Sequence, residues 1–531
     1  MKKKIVSLLL TAAMVAGLAT GCGGGPGGTG KSAPDVSGET EEVVINGITY
    51  HKATDITEDK IELTYFHFDQ KETVEYLAER FMEIYPNIKV HVIYNQVGES
   101  SPGAGDGYND VLAAMVGDKK TPDVIMSSDC DFALSNMLYK DISPWYNTDP
   151  ETKNLADTVN DCGLGCFETN GRFAVPVKFF PTAMLVDLNV LETLNLKAPK
   201  RDWTWSEMIQ LIKDATQKGT DGMQYYGIGV YNRLDSYYGI AAAQTIKGEF
   251  GFNGDSFDLA TWAVGEQEFS DLKLAGYAAP ASGTLEMEEW MGDFDGWCGA
   301  SGHVALFSEA FWTFQGTWNT DAYKEQYDLD IVPYVVPAVS AEDATKDHHA
   351  IATIDFGGVT TSCKYPREAY ELLKFMSYGV DGWKTRIEAY NNKELVNASG
   401  LALKYDVMPC PITKDQEVWD AYTDMYCEGM DDTHKGYWKE YFASVMQPIP
   451  FGWTSIAGYW NFCDGYFNKI GIHDLVDKGS KKAADYADEG TRQANSYHAE
   501  AMLDYFGPDK YDILTDEQIA KYEAMIIEQN E

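Results

Sequence analysis

The run Ile61-Glu62-Leu63-Thr64-Tyr65-Phe66-His67-Phe68, followed by Lys71 to Tyr85 and then Pro86-Asn87-Ile88, decides the fold. Its first eight residues alternate in polarity and are rich in β-formers, which predicts a strand over 61–68. Val74, Leu77, Ala78, Phe81 and Tyr85 then recur at three- and four-residue spacing, so one face of a helix over 71–85 is apolar and needs a core to cover it. Pro86-Asn87 ends that helix, and Ile88, Val90 and Val92 start the next strand. The unit is β-α-β, whose strands are expected to be parallel. A second unit overlaps it. Tyr108, Val111, Leu112, Met115 and Val116 make a helical face, Gly117 stops it, and Asp123 to Ser127 reads as a buried strand. In open α/β sheets ligands bind beyond the carboxyl ends of the strands, which points to Asp69 and Gln70 and to the loop holding Ser128, Asp129 and Asp131.

Another α/β pattern starts near residue 183 and leads into a helix from Trp205 to Thr216, where Thr204 and Glu207 have capping-box spacing. Residues Ile354 to Thr361 read as strand and loop, and Pro366 opens a helix carrying Ala369, Leu372, Leu373 and Met376. Residues 41–60 read as a small hairpin. No internal repeat is evident.

The whole chain has 531 residues, 44% hydrophobic and 23% charged, which excludes wholesale disorder and a disulfide-dense miniprotein. Its 42 basic and 82 acidic residues give a net charge of −40, a field that repels phosphate backbones, so nucleic acid is excluded as a partner. Aromatic residues make up 13%, an ample supply of flat faces for a core and for ligand stacking.

Lys2, Lys3 and Lys4 precede an apolar run from Ile5 to Leu18, the length of a secretory h-region and too short to span a bilayer. It ends in Leu18-Ala-Thr-Gly-Cys22, which resembles a bacterial lipobox. The expectation is a signal peptide over 1–21, lipidation of Cys22 and a glycine-rich tether over 22–40. The mature charge would be −43, so acyl chains rather than basic residues would hold the protein extracytoplasmically on the membrane. Of the eight other cysteines, Cys162 and Cys166 are nearest in sequence but have no partner pair at zinc spacing. Free thiols and one or two disulfides both stay open, and no metal or cofactor is expected. The chain holds no G-x-S-x-G, H-E-x-x-H or phosphate-binding glycine loop.

Five stretches, in order, resemble the extracellular solute-binding proteins of ABC importers, in the carbohydrate-binding group that includes maltose-binding protein. They are Leu63-Thr-Tyr-Phe with Phe81-Met-Glu-Ile-Tyr-Pro-Asn-Ile; Thr121-Pro-Asp-Val-Ile with Leu138-Tyr-Lys-Asp-Ile; Gly171-Arg-Phe-Ala-Val-Pro with Val186-Asp-Leu-Asn; Trp203-Thr-Trp-Ser-Glu; and Gly357-Gly-Val-Thr-Thr-Ser. The resemblance covers most of residues 61–470. It implies an α/β, two-lobed periplasmic-binding-protein-like (type II) fold with hinge-crossing segments and a ligand cleft between the lobes. By analogy the first lobe is 41–178 plus 338–385, and the second is 179–337 plus 386–531.

The resemblance also implies site residues. Asp69, Gln70, Ser128, Asp129 and Asp131 fall where the family presents polar contacts, although the tryptophan expected in the third-strand loop is absent here. Lys178 and Phe180 lie at the first crossing, and Asp355 and Gly357 at the return. Trp312 falls where a sugar-stacking tryptophan belongs, Glu309 in the same turn, and Trp453 at the last aromatic wall. The implied function is capture of a carbohydrate, an oligosaccharide, by a monomer that delivers it to permease subunits driven by ATPases and is not itself an enzyme. The rivals are a surface-anchored glycoside hydrolase or lyase, since paired carboxylates abound, and a glycan-adhesion lipoprotein without a transporter.

Overall fold

The computed structural model describes residues 36–95, 107–127, 130–155, 171–229, 234–243, 248–292, 294, 298–312, 329–340, 342, 350–446, 448–450 and 456–527. The opening β-α-β unit is present: β3 (Ile61–His67), helix α1 (Lys71–Ile84) and β4 (Ile88–Tyr94), with the two strands parallel from Ile61 opposite Ile88 to His67 opposite Tyr94. Helix α2 (Tyr108–Gly117) leads to β5 (Val124–Ser127), which pairs in parallel with β3. A short helix, α3 (Asp131–Ser135), follows that strand.

Ahead of this unit lies the expected hairpin, β1 (Thr40–Ile45) and β2 (Ile48–Ala53). Asn46 and Gly47 turn it with φ of 51° and 82°, the two positive values that a type I′ turn requires. Buried Tyr50 anchors it beneath Arg80 of α1, whose guanidinium lies 5.4 Å from the ring centroid.

The strand that organises the molecule is β6 (Val175–Asp187), thirteen residues and all buried. It does not belong to one sheet alone. Up to Pro181 it pairs antiparallel with β10 (Ile351–Val359), and from Thr182 to Val186 with β8 (Val304–Ala310). The strand order β4-β3-β5-β10-β6-β8-β7 thus comprises two sheets hinged along one strand, with β7 (Tyr226–Ile228) at the far edge, β9 (Ile331–Tyr334) also on β6, and β11 (Ile449–Pro450) on β10. The sequence pattern beginning at residue 183 is therefore the second half of a strand begun at 175.

Helices cover both halves. Helix α4 (Trp205–Ala215) starts at the expected capping box, Thr204 and Glu207 each satisfying a backbone N–H of the other, and lies with α5 (Ala260–Leu274) on the second lobe. On the first lobe α6 (Pro366–Met376) lies on β10, and α7 (Val380–Asn391) packs against α1. Residue 385, the expected lobe limit, lies within α7. Helices α8 (Gln416–Tyr426), α9 (Asp432–Val445), α10 (Ala484–Phe506) and α11 (Asp516–Met525) complete the chain. One core lies under the first sheet and extends through α8 and α9, a second lies behind the β8 side of β6, and a third lies under α10. Among the described residues no helix is long and apolar enough to cross a membrane.

Candidate functional site

The place where β6 changes sheets is also where charge is buried. Lys178 stands opposite Asp355 across the β6–β10 ladder, and a bulge after Asp355 interrupts the register there. Asp69 follows the carboxyl end of β3 and Arg386 projects from α7. The Lys178 ammonium lies 3.2 Å from Asp69 Oδ1 and 3.7 Å from Asp355 Oδ2, and Arg386 Nη2 lies 3.0 Å from Asp69 Oδ2. All four side chains are 1–6% exposed. Two cations and two carboxylates cancel, which is what makes four charges tolerable out of water.

Burial works to raise the Asp69 carboxyl, but Lys178 and Arg386 outweigh it and hold the group well below the usual carboxylate range; the Gln70 N–H, donating at 2.8 Å, helps. His67, packed 5.5 Å from the Tyr65 ring, is pushed down as well, to about 3, by burial and by the same two cations against the pull of Asp69. It is neutral at physiological pH.

Aromatic rings enclose the ammonium. Lys178 Nζ lies 4.9 Å from the Phe68 ring centroid and 5.2 Å from that of Phe180. Phe180 in turn meets Trp312 edge to face, 5.6 Å away at 82°. Phe180 is buried while Trp312, just beyond the end of β8, is half-buried and keeps part of its indole accessible. A continuous line of contacts therefore runs from Asp69 in the first lobe to Trp312 in the second.

The other expected residues divide. Glu309 lies within β8, opposite Ala183, rather than in a turn, and its Oε1 accepts the Ala310 N–H at 3.0 Å. The Gln70 side chain donates to Leu403 O at 3.3 Å and accepts the Thr73 hydroxyl. Asp131 opens α3, at the carboxyl-end side of β5. Gly357 sits inside the sheet, where an added Cβ would lie 2.7 Å from Val177 Cγ2 and 3.1 Å from Leu373 Cδ1, so its place is explained by packing. Ser128, Asp129, Trp453 and Cys22 lie outside the described residues, as do Cys162 and Cys166. Cys130, Cys298, Cys363, Cys410, Cys427 and Cys463 are buried.

Arg386 is the buried neighbour of Asp69 that sequence reading missed. Its signal was available: Trp383, Ile387 and Tyr390 place residue 386 on the buried face of its helix, where an arginine needs a carboxylate. Among the described residues no cluster of three or more His, Cys, Asp or Glu side chains is arranged to hold a metal. Two surface grooves lie away from this cluster, one of about 800 Å³ between α4, α5 and the start of α10, the other of about 660 Å³ between β2, α1, α7 and α8.

The family model described as bacterial extracellular solute-binding protein matches residues 68–377. No curated protein matches the chain. Among solved structures, a sugar transporter from Rhizobium etli in an open conformation aligns with TM-score 0.58 at 14% identity, over 82% of this chain and 99% of its own. The sugar-binding protein MalE from Xanthomonas citri aligns at 0.56 and 12%, over 83% and 98%. An ABC substrate-binding protein from Listeria monocytogenes in complex with cycloalternan aligns at 0.54 and 15%, over 82% and 98%. At these identities the likeness is one of fold: two lobes, an interlobe cleft and hinge-crossing strands.

Proposed function

The chain belongs to the bacterial extracellular solute-binding protein family, and from that premise we propose that it captures a carbohydrate, an oligosaccharide, outside the membrane and delivers it to an ABC importer by hinge closure. The observation that carries the reading is Trp312, half-buried at the end of β8 and braced edge-on by Phe180 at the strand where the lobes meet. A sugar ring offers C–H patches to a flat face and hydroxyls to polar groups, and the two together fix its orientation. The solved structures described as sugar-binding, and the one holding cycloalternan, support the same class of ligand.

In this reading Trp312 and Trp453 stack on the sugar, and Gln70, Ser128, Asp129, Asp131 and Glu309 meet its hydroxyls. Asp69, Lys178, Phe180 and Asp355, with Gly357 in the sheet behind them, form the floor against which it closes. The first crossing lies between Pro181 and Thr182, where β6 exchanges partners, and α7 moves with the first lobe. Cys22 carries the lipid, the glycine-rich tether gives the body reach, and the monomer works with permease subunits and, through them, ATPases. It turns nothing over.

The test is thermal stability of residues 36–531 against mono- and oligosaccharides, since a ligand at a hundred times its dissociation constant adds about 2.7 kcal/mol. A rise with one sugar class, lost in Trp312→Ala and unaccompanied by cleavage products, is expected. No rise with any sugar would sink the carbohydrate assignment, and cleavage would turn the reading to a glycoside hydrolase or lyase. A rise with one sugar class, in cells whose uptake of that sugar persists when this chain is deleted, would leave an adhesion protein. For the anchor, Cys22→Ser is expected to release the protein from the cell into the medium, read by fractionation; retention on the membrane would refute lipidation.

A further inference from the structure

Strand β10 runs beside β6 from Ala352 to Gly357, with a bulge after Asp355. Its other side is shared by two strands. There β11 pairs in parallel at Ile351 and Ala352 and ends at Pro450, whereas β5 pairs antiparallel at Phe356 to Val359 and ends at Ser127 beside Phe356. Thr353, Ile354 and Asp355 fall between the two, and among the described residues no strand pairs with them on that side. The sheet therefore has a break in it at the crossing, bordered by three residues of β10.

Residues directly opposite in an antiparallel ladder share a face, as do residues two apart in one strand. Thr353 lies opposite Phe180 and Asp355 opposite Lys178, so these four side chains stand on one face of the β6–β10 ladder. It is the face on which Lys178 meets Asp69 and Phe180 meets Trp312. Lys178 and Asp355 pair with each other, and Phe180 packs against Trp312. Thr353 is the exception: it is 7% exposed, and its Oγ1 is shielded from water with no hydrogen-bond partner among the described residues.

A buried hydroxyl without a partner forfeits its hydration for nothing. Valine has the same branched shape and suits a strand equally well, so packing alone favours valine at 353. A hydroxyl in that place calls for a partner that the chain does not supply. It can donate one hydrogen bond and accept two, as a sugar hydroxyl can, and the charges beside it on the same face are already paired with each other. We propose that Thr353 is a ligand-contacting, specificity-determining residue, whose hydroxyl exchanges a hydrogen bond with one hydroxyl of the carbohydrate at the break between β11 and β5, beside Phe180 and Trp312. The inference rests on the carbohydrate reading and deepens it, because a buried group built to pair with a ligand hydroxyl rejects the ligand that lacks one.

Titration calorimetry of the full chain with glucose, maltotetraose, xylotetraose and cycloalternan tests it. Wild type is compared with Thr353→Val, which keeps the shape and removes the hydroxyl, and with Thr353→Ser, which keeps the hydroxyl. The sugar that binds the wild type is expected to bind Thr353→Val roughly ten- to a hundredfold more weakly, the scale of one ligand hydroxyl left unpaired. Thr353→Ser is expected to recover most of that loss, and ligand-free Thr353→Val to melt no lower than wild type. Equal affinity of Thr353→Val and wild type overturns the inference and leaves the carbohydrate reading standing. A Thr353→Val protein that melts several degrees below wild type, or does not fold, overturns it as well, because the hydroxyl then has its partner inside the protein. No binding of any of the four sugars to the wild type sinks the inference together with the reading it rests on.

Discussion

Lys178 does not reach toward solvent as a ligand-binding lysine in an open cleft would; it is held between Asp69 and Asp355 and capped by the Phe68 and Phe180 rings. Removing it leaves Asp355 without this ammonium and Asp69 with the Arg386 guanidinium and the Gln70 N–H. Breaking a buried pair by deleting one member typically costs about 3–5 kcal/mol, so Lys178→Met is expected to lose that much at pH 7. The sign of the pH dependence follows from Asp69, whose folded carboxyl is depressed relative to the unfolded chain. Its stabilisation is present above the unfolded carboxylate pKa of about 4 and is lost as pH falls through the lower folded value. Denaturant unfolding at pH 7 and again in strong acid should therefore show the gap between wild type and Lys178→Met shrinking on acidification. An equal gap at both pH values would mean that the cluster does not work as a set of ion pairs. Arg386 belongs to the same unit, and its identification needed the fold, because 317 residues separate it from Asp69.

Among elements, β6 and β10 carry the molecule. Both are buried along their whole length, as is the shorter β5, and β6 changes partners partway along. Gly357 illustrates how tightly β10 is packed between β5, β6 and α6. Gly357→Ala puts a methyl 2.7 Å from Val177 and is expected to destabilise the protein by about 1–3 kcal/mol, the range for overpacking a close-packed site. If the residue instead served the ligand by close backbone approach, the alanine variant would keep its melting temperature and lose affinity; calorimetry with and without sugar separates the two. The elements themselves were legible. The opening β-α-β unit, the hairpin at 40–53, the capping box at Thr204 and the proline-initiated helix at 366 are each written in a window of about fifteen residues. The second half of β6 was also recognised, but not its continuity with the first, because a buried run reads alike whether it lies in one sheet or two.

For the whole molecule the dominant quantity is charge. A net −40 spread over one chain repels itself, and that repulsion opposes the compact state. The Debye length falls from about 30 Å at 0.01 M to about 8 Å at 0.15 M salt, so raising sodium chloride across that range is expected to raise the melting temperature by a few degrees. A fall would mean that exposed ion pairs such as Lys404–Glu428 and Arg201–Glu440 outweigh the overall repulsion. The acidic surface also bears on selectivity. With Lys178 and Arg386 both neutralised inside the protein, the described residues at the crossing present no spare positive charge, which suits an uncharged polyhydroxyl ligand.

The sequence by itself determined the local elements, the order in which they occur and hence the family, because hydrophobic period, capping residues and turn residues act between neighbours along the chain. It also supplied the residues that the structure brings together at the crossing: Asp69, Lys178, Phe180, Trp312 and Asp355. Only the tertiary structure decided how they meet. Asp69 and Lys178 are 109 residues apart, Arg386 joins them from a helix whose own pattern marks it as buried but does not say which carboxylate it meets, and α10 packs against both α5 and α3. Contacts of that kind arise from the mutual packing of distant surfaces, a property of no single window of sequence.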